Sequence, residues 1–310
     1  MRAVVLPQFG SSPEVQDIEI PSPGAGEVLV RVRAASVNGF DLAVANGYMN
    51  GVMEHRFPLV LGKDFAGTVE ALGADVDGYA VGDRVFGVVT KSFLGDGSFG
   101  EYVTVPVAVG LAKLPDDIDL TTAAALGLAG TAAVDGFDAA EVTAGQVVLV
   151  AGATGGVGNQ VVQLTSKAGA HVIASAHSDE ERAQVTALGA AEIVDYTDDV
   201  ASQVLAQHPD GVDTVIHLAG DPTALLPALS SGGRFVSTLL GSPDLLDAGS
   251  ATVVAVMANP APATLGRLAD HNATGHTTVT VQQVFTLDTA TDAFAAFGQG
   301  TLGKLVISID

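Results

Sequence analysis

An apolar strand that runs directly into a glycine-rich turn most limits the folds open to this chain. Val147–Ala151 is an uninterrupted apolar run, and the turn Gly152–Gly158 follows it at once. An amphipathic stretch, Val157–Ala168, then has helical periodicity. A strand, a glycine turn and a helix in this order form a pyrophosphate-binding unit, because the helix N-terminus offers free N–H groups and partial positive charge. The segment therefore predicts a dinucleotide site.

The turn departs from the strict G-x-G-x-x-G pattern only at Ala153, which stands at the first glycine. Gly155 lets the backbone approach the pyrophosphate, and Gly158 lets the helix pack closely on the strand. The residues predicted to hold the pyrophosphate are Ala153, Thr154, Gly155, Gly156 and Val157.

The end of the next predicted strand indicates which dinucleotide is bound. A site for NAD places an acidic residue about 20 residues beyond the turn, whereas this chain has no acid there before Asp179. Hydroxyl groups and two cationic side chains occupy the place and favour the 2′-phosphate of NADPH. They are Ser175, His177, Ser178 and Arg182. The alternative for Arg182 and His177 is an ordinary solvated position.

The wider pattern predicts an α/β fold with two domains. Strand and helix patterns alternate through residues 121–259, including a helix expected at Pro222–Leu229, as in a doubly wound parallel sheet. Residues 1–120 are β-rich, with strands separated by Pro and Gly. We expect a β-rich domain at 1–120, completed by 260–310, and a Rossmann domain at 121–259.

Composition excludes several classes of function. The net charge is −22 and there is no cysteine. Such a surface repels nucleic acid and anionic lipid, and thiolate zinc sites and disulfides are impossible. Five of the seven histidines show no metal-ligand spacing: His55, His171, His208, His271 and His276. The N-terminus lacks a signal-peptide core and no apolar run is long enough to span a membrane, so we expect a cytoplasmic protein.

Several motifs, in order along nearly the whole chain, resemble the medium-chain dehydrogenase/reductase superfamily of the quinone oxidoreductase type. They are Ala35–Asp41, Leu61–Gly67, Val81–Val85, Gly97–Tyr102, Gly152–Gly158, Val194–Tyr196 and Gly303–Ile307. The resemblance implies a GroES-like catalytic domain and a Rossmann NADP(H)-binding domain.

The resemblance also implies chemistry without zinc. Zinc-dependent relatives carry Cys where Asn38 stands and His-Glu where Lys63-Asp64 stands. An amide and a protonated lysine are poor zinc ligands, so we expect no metal. Without a Lewis acid, reduction of an activated acceptor, a quinone or an enone, is more natural than alcohol oxidation.

Three residues are candidates for the catalytic site: Asn38, Tyr48 and Lys63. Asn38 resembles an asparagine that lines the substrate cleft, and it would donate a hydrogen bond to the acceptor. Tyr48 lies near a proton-donating tyrosine of enoyl-thioester reductases. Lys63 would polarise a carbonyl or supply a proton. The alternatives are structural: Asn38 and Asp41 cap a helix, and Lys63 pairs with Asp41 or Asp64.

The resemblance extends the predicted cofactor site to the ends of later strands. Tyr196 resembles a tyrosine at the adenosine phosphate, and the other segments resemble those that hold the ribose, nicotinamide or pyrophosphate. The added residues are Thr131, Tyr196, Leu218, Ala219, Gly220, Thr238, Leu239, Gly303 and Lys304.

Two other functions and one assembly state follow as expectations. An enoyl-thioester or polyketide tailoring reductase is the rival enzyme, and a noncatalytic NADPH-binding protein, like the crystallin-type relatives, is the rival class. The apolar run Ala251–Met257 would be an aggregation hazard as an open edge strand. Relatives pair this strand across a two-fold axis, so we expect a homodimer.

Overall fold

The computed structural model describes all residues, 1–310. The helices are α1 (Gly39–Ala45), α2 (Leu120–Ala140), α3 (Gly156–Lys167), α4 (Asp179–Ala187), α5 (Val200–Gln207), α6 (Pro222–Leu225), α7 (Pro262–Ala273) and α8 (Ala290–Phe297). The strands are β1 (Arg2–Leu6), β2 (Glu14–Asp17), β3 (Glu27–Ser36), β4 (Glu54–His55), β5 (Leu59–Val60), β6 (Asp64–Leu72), β7 (Arg84–Val88), β8 (Phe93–Leu94), β9 (Tyr102–Pro106), β10 (Leu111–Lys113), β11 (Val147–Ala151), β12 (His171–Ser175), β13 (Glu192–Val194), β14 (Val212–His217), β15 (Leu229–Ser237), β16 (Thr252–Ala255), β17 (Val281–Thr286) and β18 (Lys304–Ser308).

The chain divides into two compact units. Unit 1 comprises residues 1–131, 260–275 and 281–310, and unit 2 comprises 132–259 and 276–280. The chain therefore leaves unit 1, forms most of unit 2 and returns. The domain limits expected from the sequence, 1–120 and 121–259, stay a prediction.

Unit 1 is built on a sheet in which the long strand β3 is central. Its strand order is β10-β7-β6-β3-β18-β17, and β9 also pairs with β3. β9 pairs with the first half of β3, at Glu27–Arg31, and β18 pairs with the last residues, Ala34–Ser36. The C-terminal strand β18 thus pairs with residues that lie 270 to 274 positions earlier in the chain.

The core of unit 1 explains why these strands stay together. Alternate residues of β3 are buried apolar side chains, as expected for a strand with one face in the core. Phe65 and Phe99 are fully buried, and Phe294 of α8 packs against Phe99 with ring centroids 5.9 Å apart. The returning C-terminal segment therefore completes the core of unit 1.

Unit 2 is a six-stranded parallel sheet with the order β13-β12-β11-β14-β15-β16. This order reverses direction between β11 and β14, which is the topology of a dinucleotide-binding fold. Apolar residues of α3 and α4 pack on one face of the sheet, and those of α5 and α6 pack on the other. Helices cover both faces, so the predicted doubly wound sheet is confirmed.

The helix α2 is long and apolar, and most of its side chains are buried within the protein. Its length and composition would suit a membrane span, but a buried core helix passes the same test. The helix kinks at Gly127, whose backbone is non-helical.

One predicted helix ends earlier than the sequence pattern indicates. The helix expected at Pro222–Leu229 ends at Leu225, and a short 3-10 turn covers Leu226–Ala228. Pro227 has no N–H to donate and its ring disfavours a continuing α-helix. Leu229 already belongs to β15.

Candidate functional site

The glycine turn in unit 2 leaves open space where a phosphate would lie. Gly155 is the N-cap of α3, and a Cβ there would meet only the Gly152 carbonyl oxygen, at 3.8 Å. By contrast, a Cβ on Gly158 would lie 2.1 Å from that oxygen, so a side chain cannot be accommodated. The helix N-terminus is therefore both exposed and closely seated on the strand, which suits a pyrophosphate.

Two polar side chains hold this turn in shape. The buried Asn159 amide donates to the carbonyl oxygens of Ala153 (3.1 Å) and Thr154 (2.9 Å). The Ser175 hydroxyl accepts from the Gly152 N–H at 2.8 Å and is itself buried. Ser175, predicted to contact a 2′-phosphate, thus contacts the turn. Asn159 was missed by the sequence reasoning, although it directly follows the last glycine.

In the segment after β12, residues that were predicted to bind a 2′-phosphate contact acidic side chains instead. His177 Nδ1 lies 3.0 Å from both carboxylate oxygens of Asp195, and the Arg182 guanidinium donates to the same group at 3.2 Å. Ser178 caps α4 by accepting from Glu181 N–H. Tyr196 donates to Glu181 at 2.9 Å. Of the predicted residues, His177 and Arg182 meet at Asp195, which pairs both cations, and the binding of a 2′-phosphate here stays a prediction.

Asp195 is ionised in this network. Hydrogen bonds from the Thr197 N–H and hydroxyl, and then from His177, hold the pKa of Asp195 well below its usual range. The sequence pattern placed no acid at this site because Asp195 comes after the next strand, β13. Only the parallel pairing of β12 and β13 brings it beside His177.

The ends of β14 and β15 are joined by a buried histidine. His217 Nδ1 lies 2.9 Å from the Ser237 hydroxyl, and Nε2 lies 3.1 Å from the Gly220 carbonyl oxygen. The Ser237 oxygen accepts from the N–H groups of Leu239 and Leu240. Since Gly220 offers only an acceptor, Nε2 carries the proton and Ser237 donates to Nδ1. Burial also lowers the pKa of His217.

This histidine network fixes the strand-end segments predicted to bind the cofactor. Leu218 N–H donates to the Ala151 carbonyl at 2.9 Å, so the ends of β11 and β14 are adjacent. A Cβ on Gly152 would lie 2.9 Å from that of Ala219. Gly220 (φ +89°) and the pair Thr238-Leu239 follow at the same edge. The structure therefore brings Leu218 and Ala219 beside the turn, and Gly220, Thr238 and Leu239 to the same edge of the sheet.

In unit 1, the buried carboxylate of Asp64 lies near four donors from three segments of the chain. It accepts from the Ser36 hydroxyl (2.6 Å), the Asn38 amide (2.8 Å) and the Leu128 N–H (2.7 Å). The Lys304 ammonium lies 3.4 Å away. Asp64 has no exposed surface. We call Ser36, Asn38, Asp64 and Lys304 the Asp64 cluster.

Asn38 and Lys304, both predicted site residues, are partners within this cluster. Lys304 Nζ donates to Asn38 Oδ1 at 2.6 Å and to the Val37 carbonyl at 2.9 Å. Asn38 Nδ2 donates to Asp64 and to the Ser36 carbonyl. The Asn38 carboxamide thus uses its donors and its acceptor inside unit 1. Gly303, with φ +100°, precedes Lys304.

Thr131 lies at the kink of α2 rather than in an open pocket. Its hydroxyl donates to the Gly127 carbonyl at 2.8 Å, and its side chain is buried. A Cβ on Gly127 would lie 2.4 Å from Asp64 Oδ1, so the kink admits the carboxylate. Thr131 therefore stabilises the turn of helix that donates Leu128 N–H to Asp64.

Lys63 lines a small cleft of unit 1 that is open to solvent, together with the side chains of Phe40 and Phe93. Its ammonium donates to the Val89 carbonyl at 2.8 Å and lies 5.0 Å from the centre of the Phe40 ring. Burial lowers the pKa of Lys63, while Asp41 and Asp64 oppose the shift. The pocket thus offers a cation among apolar and aromatic groups.

Asp41 also lines this pocket, and it caps α1. Its carboxylate accepts from the Asn38 N–H at 2.9 Å, so the capping alternative for the Asn38 and Asp41 pair is present in the fold. Burial, and then the neighbouring Asp64, raise the pKa of Asp41 to about 7. Tyr48, in contrast, is 76% exposed and does not line the pocket.

Family comparisons agree with this architecture. The chain matches the alcohol dehydrogenase GroES-like domain over residues 24–116 and the zinc-binding dehydrogenase family over residues 156–290. It is 34% identical over 248 residues to a quinone oxidoreductase of Sus scrofa, covering 76% of this chain and 72% of that protein. The chain belongs to the medium-chain dehydrogenase/reductase superfamily, quinone oxidoreductase type. Both the predicted family and the GroES-like and Rossmann fold are confirmed.

Two further relatives match this chain over only part of their own length. A zinc-type alcohol dehydrogenase-like protein of Schizosaccharomyces pombe is 34% identical over 226 residues, 71% of this chain and 64% of that protein. A mycocerosic acid synthase-like polyketide synthase of Mycolicibacterium smegmatis is 35% identical over 242 residues, 76% of this chain and 11% of that protein. The chain thus spans less than two thirds of either relative.

Solved structures share the whole fold. A quinone oxidoreductase from Coxiella burnetii has a TM-score of 0.90 at 26% identity, covering 100% of this chain and 99% of that one. A mycobacterial protein solved with NADPH has a TM-score of 0.88 at 26% identity, covering 99% and 100%. Together with the family matches, these likenesses support pyridine-nucleotide binding by this oxidoreductase.

The donor set of unit 1 does not fit the zinc ion that the matched family name implies. At the positions where the family resemblance implies zinc ligands, this chain carries Asn38, Lys63 and Asp64. Zinc prefers thiolate, imidazole and carboxylate ligands. The Asn38 and Asp64 oxygens are already bonded to other donors, among them the Lys304 ammonium. An ammonium group at that place repels a divalent cation.

The raised pKa of Asp41 predicts a specific pH dependence of folding. The Asp41 carboxyl group ionises near pH 3.8 in the unfolded chain and near pH 7 in the folded protein. Its contribution therefore lowers the free energy of unfolding progressively as the pH rises through that interval. The side chain introduced by Asp41→Asn keeps an oxygen that can accept the hydrogen bond from the Asn38 N–H, but it has no group that ionises. We expect the variant to gain about 2 kcal/mol relative to the parent between pH 5 and pH 8.

Urea unfolding of both proteins at the two pH values measures this change. Asp292→Asn, at a helix start in the same unit, is the matched control. An equal pH dependence in the parent and Asp41→Asn would contradict the raised pKa.

Proposed function

We propose that this protein is a cytoplasmic, NADPH-dependent oxidoreductase that transfers hydride to a quinone or an enone without zinc. The observation that carries the proposal is the donor set Asn38, Lys63 and Asp64, which suits hydrogen bonding and proton donation but not a metal. The family membership and the open glycine turn support the binding of a dinucleotide.

The turn and strand ends of unit 2 support the placement of the cofactor. In the proposed complex, the N–H groups of Gly155, Gly156 and Val157 bind the pyrophosphate, as helix N-termini do. The segments Leu218–Gly220 and Thr238–Leu239, fixed by His217, would hold the ribose and nicotinamide. When bound, NADPH supplies a hydride from C4 of its nicotinamide.

The pocket around Lys63 supports an acceptor with a carbonyl oxygen and a flat ring. Reduction of a quinone to a hydroquinone consumes one hydride and one proton. Lys63 Nζ, with a lowered pKa, would release that proton more readily than an exposed lysine. Phe40 and Phe93 would contact the ring of the acceptor. The Asn38 carboxamide already forms hydrogen bonds within the Asp64 cluster. Asn38 would therefore influence the reaction through the residues that it contacts.

The test is the rate of NADPH oxidation with quinones, enones and enoyl thioesters, for the parent and Lys63→Met. We expect turnover with quinones or enones and a fall in kcat of about 100-fold in Lys63→Met, because a general acid contributes on that order. The KM for NADPH should stay unchanged. Lys113→Met, an exposed lysine of the same unit, is the control. An unchanged kcat in Lys63→Met would remove Lys63 from the mechanism.

A second candidate function rests on the match to a mycobacterial polyketide synthase. An enoyl-thioester reductase would turn over crotonyl thioesters and would lose its rate in Tyr48→Phe. Tyr48 is exposed and lies outside the Lys63 pocket. This position favours the hypothesis of a quinone or enone reductase. A noncatalytic protein would bind NADPH and oxidise it with none of these acceptors.

The preference for NADPH over NADH depends on His177 and Arg182. Because Asp195 pairs both cations, the 2′-phosphate must share them with this carboxylate. We expect Arg182→Ala to raise the KM for NADPH about tenfold, the loss of one charge-assisted contact, with little change for NADH. Asp195→Asn should increase the preference for NADPH. Arg56→Ala is the control, and a parent enzyme that prefers NADH would overturn the assignment.

We also propose a homodimer through the residues 251–257. Strand β16 is the last strand of its sheet and pairs only with β15, and Met257 is 80% exposed. An open apolar edge favours pairing with a second copy. We expect a dimer mass by light scattering at micromolar concentration and a monomer for Met257→Asp. Val81→Asp, at another exposed apolar side chain in unit 1, should remain dimeric. A monomeric parent would refute the assembly.

A further inference from the structure

Two histidines and a glutamate meet in unit 2, away from the glycine turn. His171 Nε2 lies 2.6 Å from Glu192 Oε1, and His208 Nε2 lies 3.1 Å from Glu192 Oε2. One ligand atom from each residue falls within 4.8 Å of the other two. The two imidazole rings lie 5.7 Å apart, centre to centre.

The three side chains come from three separately fixed backbone segments. His171 is the first residue of β12, and Glu192 is the first residue of β13. His208 is the C-cap of α5, where its N–H donates to the Val204 carbonyl at 2.8 Å. All three are partly buried, so they are held in place and remain open to solvent on one side.

These groups are a good match to a first-row transition metal. Two imidazole nitrogens and one carboxylate oxygen form a ligand set that binds Zn²⁺ and leaves a coordination position for water. The Glu192 carboxylate presents one oxygen to each imidazole nitrogen, so the three ligand groups already converge on one place.

We propose that His171, Glu192 and His208 form a binding site for a divalent transition-metal ion of the Zn²⁺ class. The ion would join β12, β13 and α5 at the amino-terminal edge of the parallel sheet. The five-residue strand β12 separates His171 from Ser175, which contacts the glycine turn, by about 13 Å. The site is therefore structural and takes no part in hydride transfer.

A metal there would stabilise the weakest part of the sheet. β13 has three residues and lies at the edge of the sheet, and Asp195 follows it directly. Glu192 is the only one of the three ligands on that edge strand. An ion bound to Glu192 and to both histidines would tie β13 to its neighbours, because binding to the folded state alone stabilises it.

The test is calorimetric titration of Zn²⁺ into untagged, chelator-treated protein. We expect one equivalent per chain, and a dissociation constant weakened about tenfold or more in His171→Gln and in His208→Gln. Glu192→Gln, which keeps the hydrogen-bonding shape, should weaken binding similarly. His177→Gln is the matched control, because His177 also faces a carboxylate but has no second histidine.

Co²⁺ gives an independent readout. The visible spectrum of the Co²⁺-loaded parent should show low-coordinate d–d bands that are lost in the three ligand variants and kept in His177→Gln. Zn²⁺ should raise the thermal unfolding midpoint of the parent and not of those variants. Binding that is absent, or equal in the parent and the ligand variants, would overturn the proposal and leave only a carboxylate–imidazole contact.

Discussion

The buried carboxylate of Asp64 is the interaction on which unit 1 depends. It has no exposed surface and accepts hydrogen bonds from Ser36, Asn38 and Leu128, with the Lys304 ammonium nearby. A buried charge that loses its partner costs about 3–5 kcal/mol. The cluster therefore ties the first strands, the kinked helix α2 and the C-terminal strand β18 into one folding unit.

The same cluster shapes the proposed chemistry. Asp64 and Lys304 consume the hydrogen-bonding capacity of Asn38, so the side chain free to act toward a substrate is Lys63, in its pocket beside Phe40. Positions that hold a metal in zinc-dependent relatives are here filled by hydrogen bonds and an ammonium group. A lysine with a lowered pKa supports proton donation to an acceptor that is already electrophilic.

In unit 2, the side chains that fix the backbone differ from the backbone groups that are open to a ligand. Ser175, Asn159 and His217 fix the backbone of the turn and the strand ends, while Gly155 leaves the helix N-terminus open. The ionised Asp195 pairs His177 and Arg182. In the proposed complex with NADPH, the 2′-phosphate would compete with this carboxylate for the same two cations.

The sequence by itself determined the doubly wound sheet, the glycine turn and the family, because strand periodicity and turn glycines act over a few residues. Only the tertiary structure decided which side chains face each other. Lys304 lies 240 residues from Asp64, His208 lies 37 residues from His171, and Asp195 lies one strand away from His177. Strand register sets such pairs, and register depends on burial across the whole sheet rather than on local spacing.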